Sequence, residues 1–297
     1  MDDASAVIAK KLEEARTLIE LRIEEIAAGL KGLGLDEVVS YISKGGKRLR
    51  GFLSIITCEA LGGRAEDAVD TAVATELVHS ASLALDDIVD QDVVRRGSPS
   101  AWVLFGIGKT AMISLFLVPL ALKLVERYGR VALGYSIQAW EETVRGEIAD
   151  AYPSAGGSQD YLEVARLKTG SLFSLAAALG AAAAARTGKA EEAYRYGGLI
   201  GLSYQVADDL VDYLLYIGGE RQKLDPSERL FERWVKESLG GEREDLTVRV
   251  LNFLRERTTE ASMTAESLFP EGPYQEVMKY LPRFIVNSML VRKGLSI

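Results

Sequence analysis

The chain has 297 residues, 48% of them hydrophobic, with a net charge of −8 and an isoelectric point near 5.0. That length can bury a substantial core, and the acidic balance excludes the basic footprint that nucleic-acid binding requires. The lone Cys58 cannot close an internal disulfide, and no Pro/Gly/Ser-rich linker divides the chain, so one domain over residues 1–297 in a reducing cytoplasm is expected.

Residues 4–30 place Ile8, Leu12, Ala15, Leu18, Ile19, Ile23 and Ile26 at helical spacing, which predicts an amphipathic first helix. Glycines at 29, 32 and 34 interrupt it before a helix over Asp36–Ser43, with Asp36 as its expected N-cap. Gly45-Gly46-Lys47-Arg48-Leu49-Arg50 then leads into an apolar helix that includes Cys58, a core residue by its surroundings. Glycines before a helix start favour close approach of an anion to the backbone, and Lys47 and Arg50, three apart, face one way. Read alone, this stretch is better taken as a charged helix start.

The next apolar run carries the only histidine, His79, and ends in Asp86-Asp87-Ile88-Val89-Asp90. Asp86 and Asp90 are one helical turn apart, so their charges repel along one face unless a cation is held there. Carboxylates without Cys or His beside them suit Mg²⁺, which takes one or two protein carboxylates and fills its other positions with water and phosphate oxygens. For a single pentad, a solvated acidic patch is the competing reading. Arg95 and Arg96 follow at once, and guanidinium forks match phosphate oxygens.

Residues 101–128 read as an apolar helical pair broken near Pro119, and 131–152 as a further helix closing on Gly146-Glu147-Ile148-Ala149-Asp150. No run reaches the length of uncharged residues expected of a bilayer span, so a soluble protein without a membrane segment is expected. Lys168-Thr169-Gly170 lies inside an apolar stretch where a lysine is costly unless paired, and an anionic ligand would pair it. From Glu191 a helix carries Gln205 and a second pentad, Asp208-Asp209-Leu210-Val211-Asp212. Six of the chain's 16 Asp fall in the two pentads, which removes the solvated-patch reading. Amphipathic segments at 230–236, 245–262 and 274–291 complete the chain, and no strand-type alternation appears, so the fold class is all-α.

Glu76-Leu77-Val78-His79-Ser80-Ala81-Ser82-Leu83 running into the first pentad, Arg95-Arg96-Gly97, Tyr204-Gln205-Val206-Ala207 running into the second, Gly45–Arg50 and Lys168–Gly170 together resemble the trans-prenyltransferases, the polyprenyl diphosphate synthases. The resemblance runs from about residue 40 to 215. It implies a helical bundle around a deep cavity, Mg²⁺ as cofactor, a homodimer, and isopentenyl diphosphate and an allylic prenyl diphosphate as substrates. It places Asp86, Asp87, Asp90, Asp208 and Asp212 on the metal. Lys47, Arg50, His79 and Arg96 then serve isopentenyl diphosphate; Arg95, Lys168, Thr169 and Gln205 serve the allylic diphosphate, with Asp86, Asp90, Lys168 and Asp208 carrying catalysis. Lys223 is the candidate for the family's loop lysine.

Several positions depart from that pattern. Gly51 stands where the family has Pro, Ser114-Leu115 where it has Gly-Asp, and Glu147 where it has Gln; the Gly-Lys loop after the second pentad is missing. Ser82 and the more distant Ala81, both small, precede the first pentad on its helix. Bulky aromatics there would give short products, so geranylgeranyl diphosphate or longer is expected. A terpene cyclase and a non-catalytic partner subunit are the alternatives; intact basic motifs weigh against the first and intact acidic pentads against the second.

Overall fold

A computed structural model describes residues 2–152, 160–221, 226–239 and 243–297. Among them the chain is almost wholly helical, and the one sheet is a two-stranded ribbon of two residues per strand. The residues group into two compact units, each discontinuous in sequence. We call them the N-terminal unit (Ala9–Gln138 with Leu175–Ala190) and the C-terminal unit (Ala139–Ser174 and Glu191–Ile297, with Met1–Ile8).

In the N-terminal unit α1 (Asp2–Gly29) buries Ala15, Ile19, Ile23 and Ala27, one residue per turn along one stripe. Helix α2 (Asp36–Ser43) has the expected bounds, but Leu35 is its N-cap and no side chain caps it. Asp36 sits one position later, where its charge still favours the first turn through the helix dipole. Helices α3 (Leu49–Ala60) and α4 (Val69–Val89) pack together, and α4 also runs along α6 (Ile107–Val125). The expected break at Pro119 is not found: Pro119 lies exposed within α6. The break falls at Gly106, whose φ of +82° separates the short α5 (Ala101–Phe105) from α6.

Two departures from the family pattern are explained by α6. Ser114 is buried and donates to the Thr110 carbonyl of its own helix, so its hydroxyl needs no outside partner. Leu115 is 57% exposed, and Ile107 and Met112 on the same helix are also largely exposed. The segment Ile107–Tyr128 is long and apolar enough to cross a membrane by length and composition, and 28% of its apolar 18-residue window is buried.

The C-terminal unit takes most of α7 (Arg130–Ala151), then α8 (Tyr161–Ala165), a π-helical turn over Arg166–Gly170, the start of α9 (Ser171–Ala183) and nearly all of α10 (Ala190–Ile217). Helices α11 (Pro226–Trp234), α12 (Arg243–Leu268) and α13 (Pro273–Leu290) follow. Its core includes an aromatic cluster in which Tyr161 stacks on Trp234 at 5.1 Å and meets Phe231 edge-on at 5.3 Å. Lys168, Thr169 and Gly170 lie in that π turn. There α10 crosses so closely that a Cβ on Gly201 would lie 2.8 Å from Gly170 Cα.

Candidate active site

In the N-terminal unit α4 ends at Val89, and the Asp90 amide still donates to the Asp86 carbonyl at 2.8 Å. The one-turn spacing of Asp86 and Asp90 is therefore kept. Asp87 turns the other way: it is 3% exposed and receives the Arg95 Nε at 2.6 Å and also its Nη2. The sequence puts Asp87 among the metal carboxylates; in the structure it also braces Arg95.

Arg95 and Arg96 stand on a hairpin that the sequence did not reveal, β1 (Val94–Arg95) paired antiparallel with β2 (Ser98–Pro99). Its two-residue turn is Arg96-Gly97, both at positive φ (+53° and +74°), the twist that joins two right-handed strands tightly. Holding Arg96 there costs on the order of 1 kcal/mol. Its guanidinium donates to the Lys44 carbonyl at 3.1 Å and lies over Gly46, where a Cβ would come within 2.9 Å of Nη2. Gly46 thus lets the arginine of one motif dock on the backbone of another. Lys44, Gly45, Gly46, Asp87, Arg95 and Arg96 line a cavity of about 340 Å³ together with Tyr41, Ser80 and neighbours.

Lys47 is exposed just before α3, while Arg50 lies half-buried on its first turn and donates Nη1 to His79 Nε2 at 3.1 Å. Arginine has no acceptor, so His79 must accept through Nε2 and keep its proton on Nδ1. Burial, reinforced by repulsion from Arg50, Arg96, Arg48 and Arg95, holds the His79 pKa well below its ordinary 6.5. A depressed histidine is neutral when folded but protonated in the unfolded chain once the pH falls below about 6.5. Its stabilising effect is therefore complete above that value and is lost as the pH drops from there. The melting temperature should fall on acidification through this window, and His79→Gln should flatten the fall; parallel curves would reject the assignment.

Cys58 is inert by the same logic, since burial pushes its thiol up to about 12. Ala81 is fully buried and Ser82 nearly so, with the serine hydroxyl donating to the His79 carbonyl at 2.9 Å.

The C-terminal unit repeats the plan. Asp209 is 4% exposed and accepts from the Tyr161 hydroxyl at 2.6 Å and from Gln205 Nε2 at 3.0 Å. Gln205 in turn accepts from the Thr169 hydroxyl at 2.6 Å, so one chain of hydrogen bonds joins the Lys168–Gly170 turn to the second pentad. Burial, then the Asp209 charge, pushes the Tyr161 hydroxyl well above its ordinary value, and it stays a donor. Nothing in the sequence singles out Tyr161 for this role.

Asp208 and Asp212 face outward, held at 3.3 Å by Arg292 Nη1 and by Arg221 Nη1 respectively. Lys168 already has protein partners: its ammonium meets Asp150 at 2.7 Å and Glu147 at 2.9 Å. Those carboxylates supply the pairing that the sequence reading left to a ligand. The close approach depends on Gly146, where a Cβ would lie 2.4 Å from the Lys168 amide nitrogen. Lys223 lies outside the described residues.

The donor set suits a hard divalent cation. Each pentad offers one outward pair of carboxylates a turn apart, and no sulfur or imidazole competes beside them. Among the described residues no group of three acids, histidines or cysteines forms a ready-made metal cage.

The polyprenyl synthetase family model matches residues 34–220, a span that holds both pentads and every basic motif between them. The chain belongs to the polyprenyl synthetase family. It is 35% identical over 282 residues to a hexaprenyl pyrophosphate synthase of Saccharolobus solfataricus, covering 93% of this chain and 94% of that one. To a geranylfarnesyl diphosphate synthase of Methanosarcina mazei it is 28% identical, with 92% of each chain covered. A solved geranyltranstransferase from Methanosarcina mazei superposes with a TM-score of 0.76 at 27% identity, over 94% of this chain and 98% of the other. As a polyprenyl synthetase the chain is a prenyltransferase with the all-α fold of that family.

Proposed function

We propose that this polyprenyl synthetase is Mg²⁺-dependent and condenses isopentenyl diphosphate head-to-tail with an allylic prenyl diphosphate, giving geranylgeranyl diphosphate or a longer product. The observation that carries the reading is the repeated build of the pentads. In each, the inner acid is tied into the scaffold while the other two aspartates sit a turn apart and only partly buried or exposed, inside a chain that matches the family through both.

Asp86 and Asp90, with Asp208 and Asp212, are the residues that would hold Mg²⁺; when bound it supplies Lewis acidity toward the departing diphosphate. Lys47, Arg50 and Arg96 bind the diphosphate of isopentenyl diphosphate, and neutral His79 offers its Nδ1–H as a donor. Arg95 serves the allylic diphosphate while braced by Asp87. Lys168, carried between Glu147 and Asp150, donates to the same group, with Thr169 and Gln205 beside it. The allylic carbon–oxygen bond breaks, the isopentenyl double bond attacks the allylic carbon, and the proton then lost passes to the released diphosphate. Preorganised donors around the leaving group lower the cost of the charge that develops on it. The exposed apolar residues of α6 support a homodimer, and the lone buried thiol a cytoplasmic setting.

Purified protein incubated with labelled isopentenyl diphosphate, Mg²⁺ and allylic primers should form a prenyl diphosphate, its length read by chromatography. Absence of product with every primer would reject the reading. Ala81→Phe should shorten the main product and, by overfilling a closed site, cost about 1–3 kcal/mol of stability. Unchanged products would place the floor elsewhere, on residues 111–119 of α6.

A further inference from the structure

Behind the Lys47–Arg50 stretch lies a buried charge network that no part of the proposed chemistry uses. Arg48, with a side chain 1% exposed, sits at φ +55° as the N-cap of α3. Its guanidinium donates Nε to Glu20 at 2.8 Å, Nη1 to Glu76 at 3.4 Å, and Nη2 to the Ser43 carbonyl. The Glu76 carboxylate, 4% exposed, also accepts the Gly51 amide at 2.8 Å. Lys47 and Arg50 flank Arg48 and Leu49, so a residue whose backbone and side chain are both fixed stands inside the pair. Glu76 lies on α4 three residues before His79, which receives Arg50.

We propose that Glu76 is the positioning residue of the Lys47–Arg50–His79 diphosphate clamp, holding the first turn of α3 against α4 through Gly51 N–H and Arg48. The inference rests on the assignment of that clamp to isopentenyl diphosphate. Glu76 reaches no substrate in this scheme; it sets the register at which α3 presents Arg50 to His79. Gly51 is part of the device. A proline, as the family has there, lacks the amide that Glu76 accepts, and any Cβ would come within 3.0 Å of Glu76 Cγ and 2.6 Å of Ile19 Cδ1. A buried carboxylate without its two donors, or a buried guanidinium without its acceptors, is strongly disfavoured. The turn is therefore locked in one arrangement rather than sampling several.

The test compares Glu76→Ala and Glu76→Gln with the wild-type enzyme. Glutamine keeps an acceptor for Gly51 N–H but turns its amide NH2 toward Arg48, so it loses both the charge and the longer bond from Arg48 Nη1. Glu76→Ala should raise KM for isopentenyl diphosphate by about tenfold while kcat and the allylic KM hold, the pattern of lost binding to one substrate. Glu76→Gln should recover most of that loss. Calorimetric titration of isopentenyl diphosphate without the allylic partner should weaken by the same factor. Both KM values and kcat moving together in Glu76→Ala, or an unchanged isopentenyl KM, would overturn the inference. Should the alanine variant fail to fold, Glu76→Gln decides: a selective rise of two- to threefold, about 0.5 kcal/mol, supports it, and identical KM values overturn it. An inactive wild-type enzyme would instead overturn the functional reading on which it rests.

Discussion

Asp86→Ala should lower kcat by about two to three orders of magnitude, the loss seen when one preorganised stabiliser of transition-state charge is removed. It should do so without unfolding the protein. Asp86 is partly exposed at the end of α4, one turn from Asp90, and removing one of two like charges at that spacing relieves a repulsion of about 0.3 kcal/mol. A melting temperature equal to or slightly above wild type, together with the collapse in turnover, separates a lost ligand from a damaged scaffold. Near-normal turnover would remove Asp86 from the chemistry.

Gly146→Ala should cost about 3 kcal/mol of stability and also impair catalysis. The added Cβ meets the Lys168 nitrogen at 2.4 Å, its Cα at 2.7 Å and the Leu167 carbonyl carbon at 2.8 Å. These are backbone atoms of a buried turn and cannot rotate aside, so α7 and the π turn must part, an overpacking penalty at the upper end of the usual range. Parting them moves Lys168 away from Asp150 and Glu147 and disturbs the bond from Thr169 to Gln205. A displacement of 1 Å in a positioned group lowers rates by about a hundredfold. Gly134→Ala is the control: it lies on the same helix with open space where its Cβ would be, and should be neutral or mildly stabilising. Wild-type melting and kinetics in Gly146→Ala would show that the two elements do not need their close contact.

The pentads, the order of the basic motifs and the family were legible because each lies in a short contiguous stretch with its own chemistry. The bounds of α2 were legible for the same reason. What the sequence did not reveal depends on partners far along the chain. Asp87 and Asp209 look like their neighbours until Arg95 and Tyr161, 8 and 48 residues distant, close on them. Arg48 reads as one more cation of its motif, and only the fold buries it against Glu20 and Glu76. Glu147 was visible as a departure from the family, yet its meaning needed the crossing at Gly146 that brings Lys168 beside it. Pro119 was misread because a proline is a local signal, and an exposed helix face accommodates its missing amide where Gly106 nearby supplies the real break.

The inward turn of Asp87 and Asp209 limits what protein engineering can do here. On the proposed reading, retuning the enzyme toward manganese or another ion would start from Asp86, Asp90, Asp208 and Asp212, whose carboxylates are less tied into the scaffold. The second letter of each pentad is also held by a scaffold partner, Arg95 or Tyr161, so changing it would loosen the platform as well as any ion preference.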